Sequence, residues 1–258
     1  YITRLFHSII EDSVLIQQSY LQNLANPELS RKPIARIAFL GAKGSYSHLA
    51  SHEYFSRKNT ELVEMSCDQF KDIVKTVETG HADYGILPIE NTSSGSINEV
   101  YDLLQHTSLY IVGEITLPIE HCLLATSEIH LEKIKTLYSH PQPHAQCSEF
   151  LGRLKNVRLE SCISTADAMQ KVRELNQPDV AAIGNATSGK LYGLQPIQNS
   201  IANQTENHTR FILVARKAVD VSGQIPAKTT LIMSTSQEAG SLVQCLLVLQ
   251  HYGINMTK

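Results

Sequence analysis

Two stretches of this chain follow one pattern: a helical run, an aspartate, a short apolar strand, then an asparagine with hydroxyl residues and a glycine. The first runs from Val77 to Asp83, through Tyr84-Gly85-Ile86-Leu87, to Asn91-Thr92-Ser93-Ser94-Gly95. The second runs from Val172 to Asp179, through Val180-Ala181-Ala182-Ile183-Gly184, to Asn185-Ala186-Thr187-Ser188-Gly189. Apolar strands this short, alternating with helices, belong in sheets covered on both faces. Two such units predict two lobes with a cleft between them, because α/β sheets bind ligands beyond the carboxyl ends of their strands. The competing reading is a chance likeness between two strand-to-helix junctions, which recur in any α/β protein.

At 258 residues and 42% hydrophobic, the chain can bury more than one core. A formal net charge of −3, with no run of Lys or Arg, speaks against nucleic acid or an anionic membrane as a partner. The longest apolar runs are strand-sized, far short of the ~20 residues a membrane span needs. Five cysteines, without a Cys-x-x-Cys pair, fit a reducing compartment, so the expected location is cytoplasmic.

Residues 1–26 place Phe6, Ile9, Ile10, Ile16, Leu21 and Leu24 at near-helical spacing, which predicts one long amphipathic helix. A single helix cannot hide its own apolar stripe. It is therefore the remnant of a larger helical domain or a dimerisation element. Residues 27–35, with Pro27 and Pro33, read as a linker. The chain opens within a helical pattern and closes as a new strand begins, so both ends read as cut.

Residues 90–96 join a buried strand to a helix expected over 97–105. Unpaired N–H groups and the positive end of the helix dipole favour an anion at such a junction. Asn91, Thr92, Ser93 and Ser94 add neutral donors, with no Lys or Arg inside the loop, which suits a carboxylate. Gly41-Ala42-Lys43-Gly44-Ser45-Tyr46-Ser47 lies between a strand over 37–40 and a helix over 48–57. It meets neither nucleotide-binding glycine motif and reads equally as a tight turn.

Ser139-His140-Pro141-Gln142-Pro143-His144-Ala145-Gln146-Cys147 follows another strand. Two prolines interrupt His140, His144 and Cys147, so zinc spacing is not met, and Gly-x-Ser-x-Gly is absent. A turn aiming side chains at the cleft is expected. Near 203–211 a polar stretch feeds a strand on which Thr209 and Phe211 alternate with Arg210. The planar fork of Arg210 suits a carboxylate or a structural ion pair.

In this order and at these spacings, Gly41 to Ser47, Pro88-Ile89-Glu90-Asn91-Thr92-Ser93-Ser94-Gly95, Ser139-His140-Pro141-Gln142 and Thr209-Arg210-Phe211 resemble prephenate dehydratase. Residues 1–26 resemble the last helix of the chorismate mutase domain that precedes the dehydratase in the bifunctional P-protein. Residues 226–258 resemble the opening strand, helix and second strand of an ACT regulatory domain. The resemblance implies an α/β fold: a two-lobed, periplasmic-binding-protein-like dehydratase domain over 36–217, after one long helix and before a partial ACT (α+β) domain. Lobe 1 would span about 36–113 plus 203–217, and lobe 2 about 114–202.

By the same resemblance the chain is a lyase of phenylalanine biosynthesis that converts prephenate to phenylpyruvate without metal or organic cofactor. Thr209 would be the essential hydroxyl, with Glu90 an alternative proton donor if burial raises its pKa. Asn91, Thr92, Ser93, Ser94, Ser139, Gln146, Arg210 and Phe211 would bind substrate. Ser13 and Gln17 match the mutase site, whose activity is expected only in the full-length protein. Gly240, Ser241, Leu242 and Val243 match part of a phenylalanine-binding motif, implying feedback control in that longer protein. A homodimer or higher oligomer through 1–26 is expected. The plan of two lobes also fits a small-anion or amino-acid sensor without catalysis. A sensor has no use for the Thr209 hydroxyl.

Overall fold

A computed structural model describes residues 2–27, 34–56, 58, 60–204 and 206–256. Its backbone divides into a unit of residues 1–225 and a short one of 226–258. The larger unit opens with α1 (Ile2–Ala25). Phe6, Ile9, Ile10, Ile16, Tyr20 and Leu24 on it are exposed, so much of the apolar stripe stays uncovered within this chain. Its last turn is tied down by Asn26, which donates to the Asp220 carbonyl at 2.8 Å and accepts the Asp220 N–H at 2.9 Å. Most of the predicted linker, residues 28–33, lies outside the described residues, and the strand that follows already begins at Ile34.

The first lobe runs through β1 (Ile34–Leu40), α2 (Tyr46–Phe55), β2 (Glu61–Cys67), α3 (Phe70–Glu78), β3 (Tyr84–Asn91), β4 (Gly95–Ser96), α4 (Asn98–His106) and β5 (Tyr110–Pro118). The second runs through β6 (Cys122–Ala125), β7 (Thr136–Ser139), α5 (Pro141–Gln146), α6 (Ser148–Leu151), β8 (Arg158–Ser161), α7 (Thr165–Leu175), β9 (Val180–Gly184), α8 (Ala186–Leu191) and β10 (Gln195–Gln198). The chain then returns as β11 (His208–Ala215). The first sheet has the order β2-β1-β3-β11-β5, with β4 on β3, and the second the order β10-β6-β9-β7-β8.

Side-chain alternation sorts the first sheet into two cores. Phe39, Ile86, Phe211 and Leu213 pack on one face with Ala50 and Phe55 of α2. Leu87, Ile89, Ile212 and Val214 pack on the other with Ile73 and Val77 of α3 and Val100 of α4. In the second lobe, Leu123, Leu137, Ala181 and Ile183 share a core with Cys147. Among the described residues, His140, His144 and Cys147 do not come together as a metal-ligand set.

The predicted lobe limits shift. β5 pairs with β11 along its length, so the chain leaves the first sheet after Pro118 rather than at 114. On the return, the Asn203 N–H donates to the Gln146 carbonyl at 2.7 Å, so Asn203 belongs with the second lobe. The turn expected over 139–147 is helical from Pro141: proline is tolerated in a first turn, where no intrahelical N–H is required.

Asn91 and Asn185 end β3 and β9 in the same way. The Asn91 side-chain oxygen accepts the N–H groups of Ser93 and Ser94 at 3.0 Å each, and that of Asn185 accepts those of Thr187 and Ser188 at 2.8 and 3.4 Å. After Asn185 a helix starts at once, whereas after Asn91 the chain doubles back as β4.

In the small unit, α9 (Ser241–His251) is the one regular element among the described residues. The strands expected over 226–232 and near Ile254 do not form. A strand satisfies its backbone only through a neighbour, and this segment supplies none. Gly240, at φ +90°, precedes the helix, Ser241 Oγ donates to the Glu238 carbonyl at 3.0 Å, and Leu242 and Val243 are exposed. No described helix is long and apolar enough to cross a membrane.

Candidate active site

Between the two lobes lies a cleft of about 590 Å³. From the first lobe it takes the carboxyl ends of β1 and β3 and the start of β11. From the second it takes the segment around His121, the helix α5 and the start of α7. Among the described residues lining it there is no Lys, Arg, Asp or Glu. An anion there would be held by neutral donors and helix starts.

Asn91 and Thr209 are register partners across β3 and β11, which places their side chains together although 118 positions separate them. Thr209 is 8% exposed. Asn91 Nδ2 donates to Thr209 Oγ1 at 2.9 Å and to Asn207 Oδ1 at 2.8 Å, while its oxygen also accepts Ser94 Oγ–H at 3.1 Å. The Asn91 amide is thus fully engaged in holding Thr209 and the turn over 92–94. Because Thr209 Oγ1 accepts from Asn91, its own O–H remains to donate into the cleft.

The helix expected over 97–105 forms as α4 (Asn98–His106), but the N–H groups of the turn before it are already engaged. The N–H groups of Ser93 and Ser94 serve Asn91, and that of Thr92 donates to the His208 carbonyl at 2.9 Å. β4 then stands between this turn and α4, whose N-cap is Ile97. Helix starts at the cleft include that of α4 at Ile97, that of α5 at His140, that of α2, capped by Ser45, and that of α7, capped by Ser164, which accepts the Asp167 N–H at 3.0 Å. The sequence marked the loop before α2 but not the start of α7, although Ser164-x-x-Asp167 carries a capping signature.

Gln146 reaches the cleft from α5, with its Oε1 2.7 Å from His121 Nε2. Burial lowers the pKa of His121, and lowers that of His140 on the same wall. Ser93, Ser94, Gln146 and Asn207 also line an adjoining chamber of about 340 Å³. Ser139 lies elsewhere: its hydroxyl donates to the His140 carbonyl at 2.9 Å, and it lines a separate cavity of about 140 Å³. Thr92 is exposed, with its hydroxyl oxygen accepting the His208 N–H at 2.9 Å. Phe211 lines the cleft but is 1% exposed and sits in the α2 core.

Arg210 and Glu90 are not among the residues that line the cleft. Alternation along β11 turns Arg210 to the face opposite Thr209 and Phe211, where its guanidinium lies 4.0 Å from Glu90 and 4.0 Å from Glu114. Both contacts are long for an ion pair, and Arg210 Nε is buried without a hydrogen-bond partner. Arg210→Ala is expected to leave KM for a cleft-bound anion within about threefold of the parent, measured by steady-state kinetics. A larger rise would return Arg210 to the binding site. Ser13 and Gln17 are exposed on α1.

The lobes are stitched together beside the cleft. Ser188 Oγ of α8 donates to the Gly44 carbonyl at 2.7 Å, and Tyr192 donates its hydroxyl to the Lys43 carbonyl. Gly44 is at φ +84°, and a Cβ there would meet the Tyr192 ring at 3.0 Å and Ser188 Cβ at 3.3 Å, so glycine serves both the turn and the close approach. Behind it, His48, His52 and Glu64 form a cluster that resembles a metal-ligand set. The Gly44 N–H donates to His48 Nδ1 at 3.2 Å, so the ring proton lies on Nε2, facing Glu64. A metal-bound histidine needs the opposite arrangement, with its second nitrogen donating. Burial alone would raise Glu64, but hydrogen bonds from Lys43, His52 and His48 outweigh it and hold the carboxyl at about 2.

Two α/β lobes around a cleft that no Lys, Arg, Asp or Glu lines among the described residues, with the buried Thr209 hydroxyl held by an amide, form a ligand cleft whose neutral donors suit a small organic anion. Residues 37–219 match the family model for prephenate dehydratase. The chain is 58% identical over 259 residues to a bifunctional chorismate mutase/prephenate dehydratase of Enterobacter agglomerans, and 56% identical over 261 residues to that of Escherichia coli K12. In each case all of this chain is aligned, and it spans 66% of the relative's length. The solved prephenate dehydratase of Arthrobacter aurescens in complex with L-Phe superposes with a TM-score of 0.71 at 25% identity, covering 86% of this chain and 74% of that one. The chain belongs to the prephenate dehydratase family.

Proposed function

We propose that the cleft converts prephenate to phenylpyruvate. The observation that carries this reading is the buried Thr209 hydroxyl, oriented by Asn91 in a cleft lined by several helix starts. In the reaction the bond to the ring carboxylate breaks and carbon dioxide departs. Its electron pair enters the ring, and the ring hydroxyl leaves as water with one added proton. Thr209 donates a hydrogen bond to that hydroxyl. Its own pKa makes it a poor acid, so it orients a relay rather than giving up its proton outright. The starts of α2 and α7, together with Gln146, hold the carboxylates by backbone and amide N–H groups. Pro88, Ile97, Ile119, Ile163 and Phe211 give the cleft apolar walls, which favour loss of the ring carboxylate's hydration before it departs.

In the longer protein we infer a chorismate mutase activity, from which α1 is the last helix, and feedback control by phenylalanine through the segment begun by Gly240 to Val243. Pairing of two copies through the exposed face of α1 and a cytoplasmic location complete the reading. Mixing the chain with prephenate and following phenylpyruvate formation tests it. Turnover is expected, and saturable binding of prephenate with no phenylpyruvate would instead make the chain an anion sensor.

A further inference from the structure

Gln146 can present either end of its amide to a ligand, and its neighbour on the cleft wall, His121, decides which. His121 is 1% exposed, its ring lies edge-on to Tyr46 at 6.4 Å between centroids, and its carbonyl accepts the Ile201 N–H at 3.0 Å. Burial, the Tyr46 contact and the tied backbone restrict the ring. Its Nε2 is 2.7 Å from Gln146 Oε1, and its Nδ1 is buried with no hydrogen-bond partner. Burial disfavours the imidazolium, so the ring carries a single proton.

Two placements of that proton are possible. On Nδ1 it would make a buried N–H with nothing to accept it, the rarer and costlier kind of orphan. On Nε2 it donates to the Gln146 oxygen and leaves only a bare lone pair on Nδ1. The second placement turns the Gln146 NH₂ away from His121, toward the cleft and the chamber that Gln146 also lines. We propose that His121 is a positioning residue that makes Gln146 a fixed hydrogen-bond donor to a carboxylate of the substrate. This rests on the dehydratase reading of the cleft. His121 itself need not touch the reacting atoms.

The test uses the whole chain with His121→Leu, His121→Gln, Gln146→Ala and the double variant His121→Leu/Gln146→Ala, each checked for fold by circular dichroism. His121→Leu is expected to raise KM for prephenate about tenfold to a hundredfold, with kcat within about threefold. His121→Gln, which keeps a donor toward Gln146, recovers most of that loss. In the Gln146→Ala background, His121→Leu adds nothing further. Gln146→Glu, which keeps an oxygen for His121 but has no NH₂, loses as much as His121→Leu and covers the case in which the leucine variant does not fold. An unchanged KM in His121→Leu, a loss confined to kcat, or full additivity with Gln146→Ala would overturn the proposal. If the parent chain binds prephenate without converting it, the dehydratase reading fails, and the same series read as dissociation constants still decides the role of His121.

Discussion

Thr209→Ala lowers kcat by about 10²–10⁴-fold and leaves KM within about threefold, the signature of a group that acts on the leaving hydroxyl rather than on the carboxylates. The geometry isolates this effect. Asn91 Nδ2 loses one acceptor in the variant but keeps Asn207 Oδ1 at 2.8 Å and the His208 carbonyl at 3.2 Å, so the turn over 92–94 holds its shape. Thr209→Ser restores the hydroxyl and sacrifices only the χ1 stiffness of a β-branched side chain, so its kcat returns to within about tenfold of the parent. Steady-state kinetics on both variants decides the matter. Undiminished kcat in Thr209→Ala would remove this hydroxyl from the chemistry.

Phe211→Ala acts on a different quantity. Its ring is 1% exposed and packs with Phe39, Phe55, Ile86 and Leu213 between the first sheet and α2, while one edge reaches the cleft. Truncating a buried phenylalanine costs about 3–5 kcal/mol, since the lost transfer energy and the residual cavity add. Against a typical folding stability of about 5–15 kcal/mol, that is a large share. A denaturant titration should show the midpoint falling with an unchanged slope. A loss below about 1 kcal/mol would mean that the ring serves the ligand and not the core.

The α/β alternation was legible because short apolar runs end in glycine or asparagine, and because the pattern repeats at Asn91 and Asn185. What failed was whatever depends on distant partners. β3 runs on to Asn91, and the turn after it closes on β4, because β11 and β4 pair with its end. The extension of β5 to Pro118 has the same cause. α5 was hidden because Pro141 and Pro143 read as breakers when they occupy a first turn that needs no N–H.

In the site, the sequence marked Asn91 and Thr209 but not the contact between them, which depends on the register of β3 and β11. Asn91 is saturated by Thr209, Asn207 and the next turn, so it organises the site rather than reaching for a ligand. Arg210 drew attention by its chemistry alone. Strand alternation, once the register with Glu90 is known, turns it away. Ser45 and Ser164 cap α2 and α7, and nothing local says that both helices would start at one cleft.

The place of β11 in the first sheet bears on how the chain is made. This strand lies between β3 and β5 but follows all of the second lobe in sequence. As the polypeptide leaves the ribosome, β3 and β5 must wait with open edges until the whole second lobe has emerged, a costly long-range closure and a period of exposure to stray pairing. The second lobe has every strand of its own sheet by then and can fold ahead of the first. The last strand to arrive carries Thr209, so a chain that stops short of it has neither a closed first sheet nor the hydroxyl. Completion of the fold and arrival of the decisive side chain are the same event in synthesis.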